Sequence, residues 1–223
     1  MAFSGTKTFA LDIAETIEEA YELAGLEQRT GYDARTARRS MNIMFADWAN
    51  RGVNLWTIEQ ETLDLTKGTA SYNLNGYDID ILSAVIRDTS KSPVLDIEID
   101  RIGRQEFLNI PTKTTQARPT QYFVDRQITP IVNLWPTPDT NNYQLISYRI
   151  QRIDDVSTSA ENPEVPSRFM PCMVSGLAYY IALKKNPQKA GLLKQQYEQD
   201  FKLAADEDRN RASLMLTPAR RFY

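Results

Sequence analysis

The sequence predicts an α+β protein: an antiparallel helical bundle formed by N- and C-terminal helices, with an inserted β-rich domain and an extended C-terminal tail. Three observations carry that expectation. Apolar residues recur at helical spacing at both ends of the chain and alternate with period two through its middle, while one C-terminal stretch, "FMPCMVSGLAYYIALKK", is apolar almost all round. A helix without a polar face must be covered by others, and the roughly fifty residues of the N-terminal helical pair bury too little surface to stand alone. The two ends are therefore expected to pack on each other. This divides the chain into an N-terminal helical pair (1–53), a β-rich insert (54–160), a C-terminal helical pair (161–210) and an arm (211–223).

Asp12 followed three residues later by Glu15 has the form of a capping box, in which each side chain satisfies an orphan amide of the first turn. The helix it opens places Ile13, Ile17, Ala20, Tyr21 and Ala24 on one face. Asp12, Glu15, Glu18, Glu19 and Glu22 cluster elsewhere, no basic residue occurs from Leu11 to Gln28, and Gly25 supplies a left-handed stop. A second helix, from about Asp33 to Asn50, aligns Ala34, Ala37, Met41, Met44, Phe45 and Trp48 as a core stripe and ends at Arg51-Gly52. Arg35, Arg38 and Arg39 flank the stripe, and Ile43 lies opposite it, where an apolar side chain hints at a subunit contact.

The period then changes. In "TLDLTKGTASYNL" the apolar positions Leu63, Leu65, Ala70, Tyr72 and Leu74 alternate about Lys67-Gly68, which predicts a hairpin. Further strands are expected at "DIDILSAVIRD", "PVLDIEI", "PTQYFVD", "PIVNLWP" and "NYQLISYRI", with prolines between them. A short helix in "RIGRQEFLNI" is expected to be capped by Asp100 and stopped before Pro111. After the apolar helix, Asn186-Pro187 offers an N-cap and a first-turn proline to a last helix reaching about Arg209, with Ala190, Leu193, Tyr197, Phe201 and Ala204 inward. "ASLMLTPARRFY" keeps no lasting period and reads as extended.

Composition removes whole classes of function. With no histidine there is no His-centred triad, HExxH zinc site or imidazole acid/base, so any enzyme would rest on carboxylates, lysine, tyrosine or Cys172. Cys172, inside the apolar helix, reads as a buried thiol; one cysteine forms no internal disulfide, and a reducing compartment is expected. A net charge of -3 and a pI near 5.2 leave little general attraction to polyanions. No signal-peptide run opens the chain and "GLAYYIAL" is too short to span a bilayer, so neither export nor a membrane is expected. Gly68, Gly76 and Gly103 are isolated and cradle no phosphate. The pairs Asp78 and Asp80, Asp154 and Asp155, and Glu59 and Glu61 have the residue type of a glycosidase dyad, and Asp78 with Asp80 share a strand face as divalent-ion ligands would. No EF-hand loop or denser oxygen cluster accompanies them. No catalytic, cofactor or metal residue is therefore assigned.

A helix ending "ELAG", then "DARTARRSMNIMFADWANRGVNLW" and "TLDLTKGTASYNL", with "RPTQYFVDR" before "LWPTP" and "VPSRFMPCMVSGLAYYIALKK" before "YEQDFKLAADED", resembles the head-to-tail adaptor proteins of short-tailed bacteriophages, the group that includes tail tubular protein A. The resemblance covers nearly the whole chain. It implies a structural virion protein of the head-tail junction, assembled in the host cytoplasm. Twelve copies would form a ring beneath the portal protein, extend a DNA channel that DNA traverses without specific binding, and meet a tail nozzle or tail tube protein. Such adaptors reach the portal with a C-terminal arm. Here that role would fall to Leu214, Met215 and Leu216 as apolar anchors and Arg220, Arg221, Phe222 and Tyr223 as the tip. Free copies of such adaptors are expected to be monomers that order on the portal.

Arg35, Arg38 and Arg39 are expected to pair with Glu15, Glu18 and Glu22, within the bundle or between ring neighbours, rather than with DNA phosphates. Two other functions stay open at this point: a tail-associated peptidoglycan hydrolase and a cytoplasmic nucleic-acid-binding protein.

Overall fold

The structure is a computed structural model and describes residues 12–27, 31–52, 55–158 and 162–207. In chain order its elements are α1 (Ile13–Leu23), α2 (Gly31–Asn50), β1 (Ile58–Asp64), β2 (Ser71–Asn73), β3 (Asp78–Asp88), β4 (Leu95–Glu98), β5 (Asp100–Arg101), α3 (Arg104–Asn109), β6 (Gln121–Asp125), β7 (Ile131–Trp135), β8 (Tyr143–Gln151), α4 (Met170–Lys185) and α5 (Pro187–Glu207). The fold is α+β. Two compact units divide it: one combines the chain up to Leu55 with the chain from Asp155 onward, and the other is Trp56–Asp154.

In the helical unit, Asp12 Oδ1 accepts the Glu15 N–H at 2.7 Å and so satisfies one of the amides that no helical carbonyl can reach. Gly25, at φ +70°, ends α1, with the Leu26 N–H returning to the Tyr21 carbonyl at 2.9 Å. α2 begins at Gly31, two residues before the expected Asp33. α4 packs against α1, α2 and α5, which is why it carries apolar residues on every side: Cys172, Met173, Leu177, Ala178, Ile181 and Ala182 are all buried. Close approach depends on Gly176. A Cβ there would lie 2.6 Å from Met44 Sδ and 2.8 Å from Tyr197 Cε2, so only hydrogen lets α2 and α5 side chains both reach α4. Trp48 donates its indole N–H to Tyr197 OH at 3.0 Å, and its ring lies 5.4 Å from those of Phe45 and Phe169.

Asn186 does precede α5, but its amide donates to the Ala24 carbonyl at 3.0 Å, satisfying the end of α1. The inward face of α5 is Ala190, Leu193, Tyr197 and Ala204, with Phe201 half-buried. Arg209 and the whole arm 211–223 lie outside the described residues.

The second unit holds two four-stranded sheets, ordered β1-β8-β3-β4 and β2-β7-β6-β5. Pairing is antiparallel except for β5 beside β6. The strands alternate because one face of each sheet turns inward: Ile81, Ala84, Ile86 and Leu145 from the first and Tyr122, Val124, Val132 and Leu134 from the second close one core.

Two expectations fail here. The stretch around Lys67-Gly68 is no hairpin: β1 pairs with β8, β2 pairs with β7, and the turn carries the chain from one sheet to the other. Tyr72 holds that crossing by accepting the Thr66 N–H at 2.9 Å and donating to the Thr69 carbonyl at 3.0 Å. Nor does Asp100 cap the short helix. It lies in β5 opposite Gln121, and α3 starts after Gly103, whose N–H is taken by the Glu106 carboxylate at 2.6 Å. The helix ends at Asn109, ahead of Pro111 as expected, with Phe107 stacked on Phe123 at 5.5 Å. Among the described residues no helix is long and apolar enough to cross a membrane.

Candidate functional site

α2 commits one stripe to the core, where Ala37, Met41, Met44, Phe45 and Trp48 are buried, and so turns its arginines away from it. Arg35 and Arg39 are exposed, and Arg38 is half-buried. With Tyr32 and Asn42 they line a groove of about 430 Å³ whose far wall is Val156 and Ser157. Asn42 fixes that wall by accepting the Val156 N–H at 2.8 Å and donating to the Val156 carbonyl at 3.4 Å, so one amide does what a strand neighbour would do. Arg38 Nη1 donates to the Ser157 carbonyl, while its buried Nε has no hydrogen-bond partner.

Three of the groove's lining side chains are arginines. Lys184 Nζ donates to Ser40 Oγ of the same helix α2 at 2.7 Å, and burial, followed by the charge on Arg39, holds the lysine below its usual pKa. Glu15, Glu18 and Glu22 are all exposed on α1. Among the described residues no ion pair within the chain joins them to Arg35, Arg38 or Arg39. Tyr32, Asn42, Val156 and Ser157 escaped the sequence reading, although Asn42 stands seven residues after Arg35 and so shares its face. Nothing local foretold that residues 114 or more positions away would close the groove.

Of the acidic pairs, Asp78 with Asp80 is engaged elsewhere, in ion pairs of the β unit. Asp78 accepts from Arg149 Nη1 at 3.0 Å, with both side chains buried, and from the Asn75 N–H at 2.9 Å. Asp80 takes both oxygens to Arg101 Nη2, at 2.9 and 3.0 Å, and is also held by Arg126. Guanidinium groups neutralise both carboxylates, with Asp78 Oδ1 buried and without a hydrogen-bond partner, an arrangement of structural ion pairs rather than of a glycosidase dyad. Among the described residues no group of three or more acidic or cysteine side chains is placed to hold a metal. Cys172 is buried, and desolvation pushes its thiol well above the usual value, which disfavours the nucleophilic thiolate.

The SU10 adaptor protein family matches residues 16–221, which covers both units. The chain belongs to the SU10 adaptor protein family. This agrees with the resemblance to phage head-to-tail adaptors at the level of the family, and makes this adaptor a structural component of a bacteriophage virion. No curated protein matches the chain. The adaptor match begins at Thr16, inside α1, and ends two residues short of Tyr223, so it includes most of the segment assigned to the arm.

Proposed function

We propose that this adaptor docks as a ring beneath the portal after genome packaging, extends the DNA channel and forms the platform for a tail nozzle or tail tube protein. The observation that carries the reading is the length of the family match, from residue 16 to residue 221, which spans helices, β unit and arm together. In this reading the N- and C-terminal helices form an antiparallel bundle that stacks against neighbouring bundles. A ring repeats one interface many times, twelve in the ring implied by the resemblance, so a modest contact per subunit suffices. Assembly takes place in the host cytoplasm. The net charge of -3 suits a channel through which DNA slides without being held.

The arm is the portal contact: Leu214, Met215 and Leu216 fill apolar sites and Arg220, Arg221, Phe222 and Tyr223 supply the residue types that most often dominate interface energy. Co-sedimentation with portal rings of the same phage tests this. The full chain is expected to pellet with the rings and a chain lacking residues 211–223 to stay in solution. Equal pelleting would remove the arm from the portal contact, and failure of the full chain to pellet would remove the proposed docking beneath the portal.

A further inference from the structure

The helical unit carries two faces of opposite charge that do not satisfy each other within the chain. α1 exposes Glu15, Glu18 and Glu22, and α2 lines its groove with Arg35, Arg38 and Arg39. Each face is self-repelling in an isolated copy, because like charges three and four residues apart on one helix destabilise it. Arg38 Nε adds a buried donor with no partner. The two faces also keep the same cadence. The acids stand at i, i+3 and i+7 and the groove residues Arg35, Arg38 and Asn42 do likewise, so both rows extend about 10 Å along their helices at the rise of an α-helix.

We propose that the arginine groove of one copy receives the acidic face of α1 from a second copy. Each subunit then has one positive and one negative side, which is a heterologous contact, and repetition of such a contact closes a ring when its rotation divides the circle. The proposal rests on the ring reading above and names its interface. A second copy is favoured over other acidic partners because this chain itself carries the matching row, undiluted by any basic residue from Leu11 to Gln28. Carboxylate is favoured over DNA phosphate because the overall charge of -3 repels a duplex that the groove alone would have to hold.

Charge exchange tests it on the full chain, with portal rings of the same phage as template and particle mass as readout. The variants are R35E/R39E, E15K/E18K/E22K, and a chain bearing all five changes. All alter exposed positions, and circular dichroism checks that each is folded. The one-sided variants are expected to add to the portal with roughly tenfold or greater loss of occupancy, because like charges then face each other at every junction, and the five-fold variant to regain it. One-sided variants that assemble as well as the unmodified chain would overturn the interface while leaving the ring intact. Loss in both without recovery in the exchanged chain would also overturn it, since the faces would then meet other partners. Normal assembly of R35E/R39E with weaker salt-dependent retention of duplex DNA would make the groove a phosphate site instead. An unmodified chain that adds only as single copies would overturn ring and interface together.

Discussion

Asp78 and Asp80 stand two positions apart on β3, and their partners decide what each is worth. Arg149 is as buried as the Asp78 it neutralises, at 4% and 0% side-chain exposure, whereas the Arg101 and Arg126 that clamp Asp80 are 41% and 60% exposed. Removing Arg149 strands a carboxylate in the core, which costs about 3–5 kcal/mol, while removing Arg101 leaves Asp80 with Arg126 and water and should cost about 1 kcal/mol. Urea unfolding of R149A and R101A in the full chain measures both; equal losses would contradict the assignment. Gly176 makes a second case. Its alanine variant adds little volume but places a methyl against Met44 and the Tyr197 ring, so G176A should lose about 1–3 kcal/mol despite alanine's better helix propensity. The core stripe of α2 was legible in the sequence because Met41, Met44, Phe45 and Trp48 follow one period. The arginine partners of Asp78 and Asp80 were not, because they lie 71, 21 and 46 residues away, where no local pattern reaches.

Elements show the same division between what repeats locally and what closes at long range. Helices and strands announced themselves through periods of 3.6 and two, yet the turn at Lys67-Gly68 joins strands of different sheets because alternation gives a strand its face and not its partner. The acidic row of α1 and the arginine row of α2 were visible as composition, and the groove between α2 and Val156 was not, since it depends on a wall arriving from residue 156. Arg51 illustrates a connection of this kind. Read in sequence as part of a helix stop, it binds Glu198 on α5 through two hydrogen bonds of 2.8 and 3.0 Å, takes Asp47 at 2.8 Å, and lies over the Phe201 ring at 4.6 Å. The Arg51 hydrogen bond holds the Glu198 carboxyl below its ordinary 4.5. A depressed carboxylate contributes stability that is complete above the unfolded value and lost as the pH falls through the folded one. Because Glu198 is 44% exposed, the contribution is small, under about 1 kcal/mol. E198Q should therefore melt slightly below the unmodified chain at neutral pH, with the gap closing as the pH falls below the carboxyl's ordinary 4.5 and through its lowered folded value. A gap of constant size across that range would show that packing, not charge, carries the contact.

At the scale of the whole molecule, the β unit is a closed insertion. Trp56 and Asp154 bound it, and the register that pairs Ile58 with Ile150 brings the two ends of the unit onto adjacent strands. Its core, from Leu65 to Leu145, is drawn from both of its own sheets, and its charged clamps, Asp78 with Arg149 and Asp80 with Arg101 and Arg126, are internal to it. A segment of about a hundred residues with its own core and neighbouring ends meets the usual conditions for folding alone. Residues 56–154 expressed as a separate chain should therefore unfold cooperatively in urea, with far-ultraviolet and tyrosine signals falling together. The same fragment carrying R149A should lose most of that transition. Were the isolated segment to melt without cooperativity, its stability would have to come from the rest of the chain. Cooperative unfolding would instead leave the two units free to diverge separately.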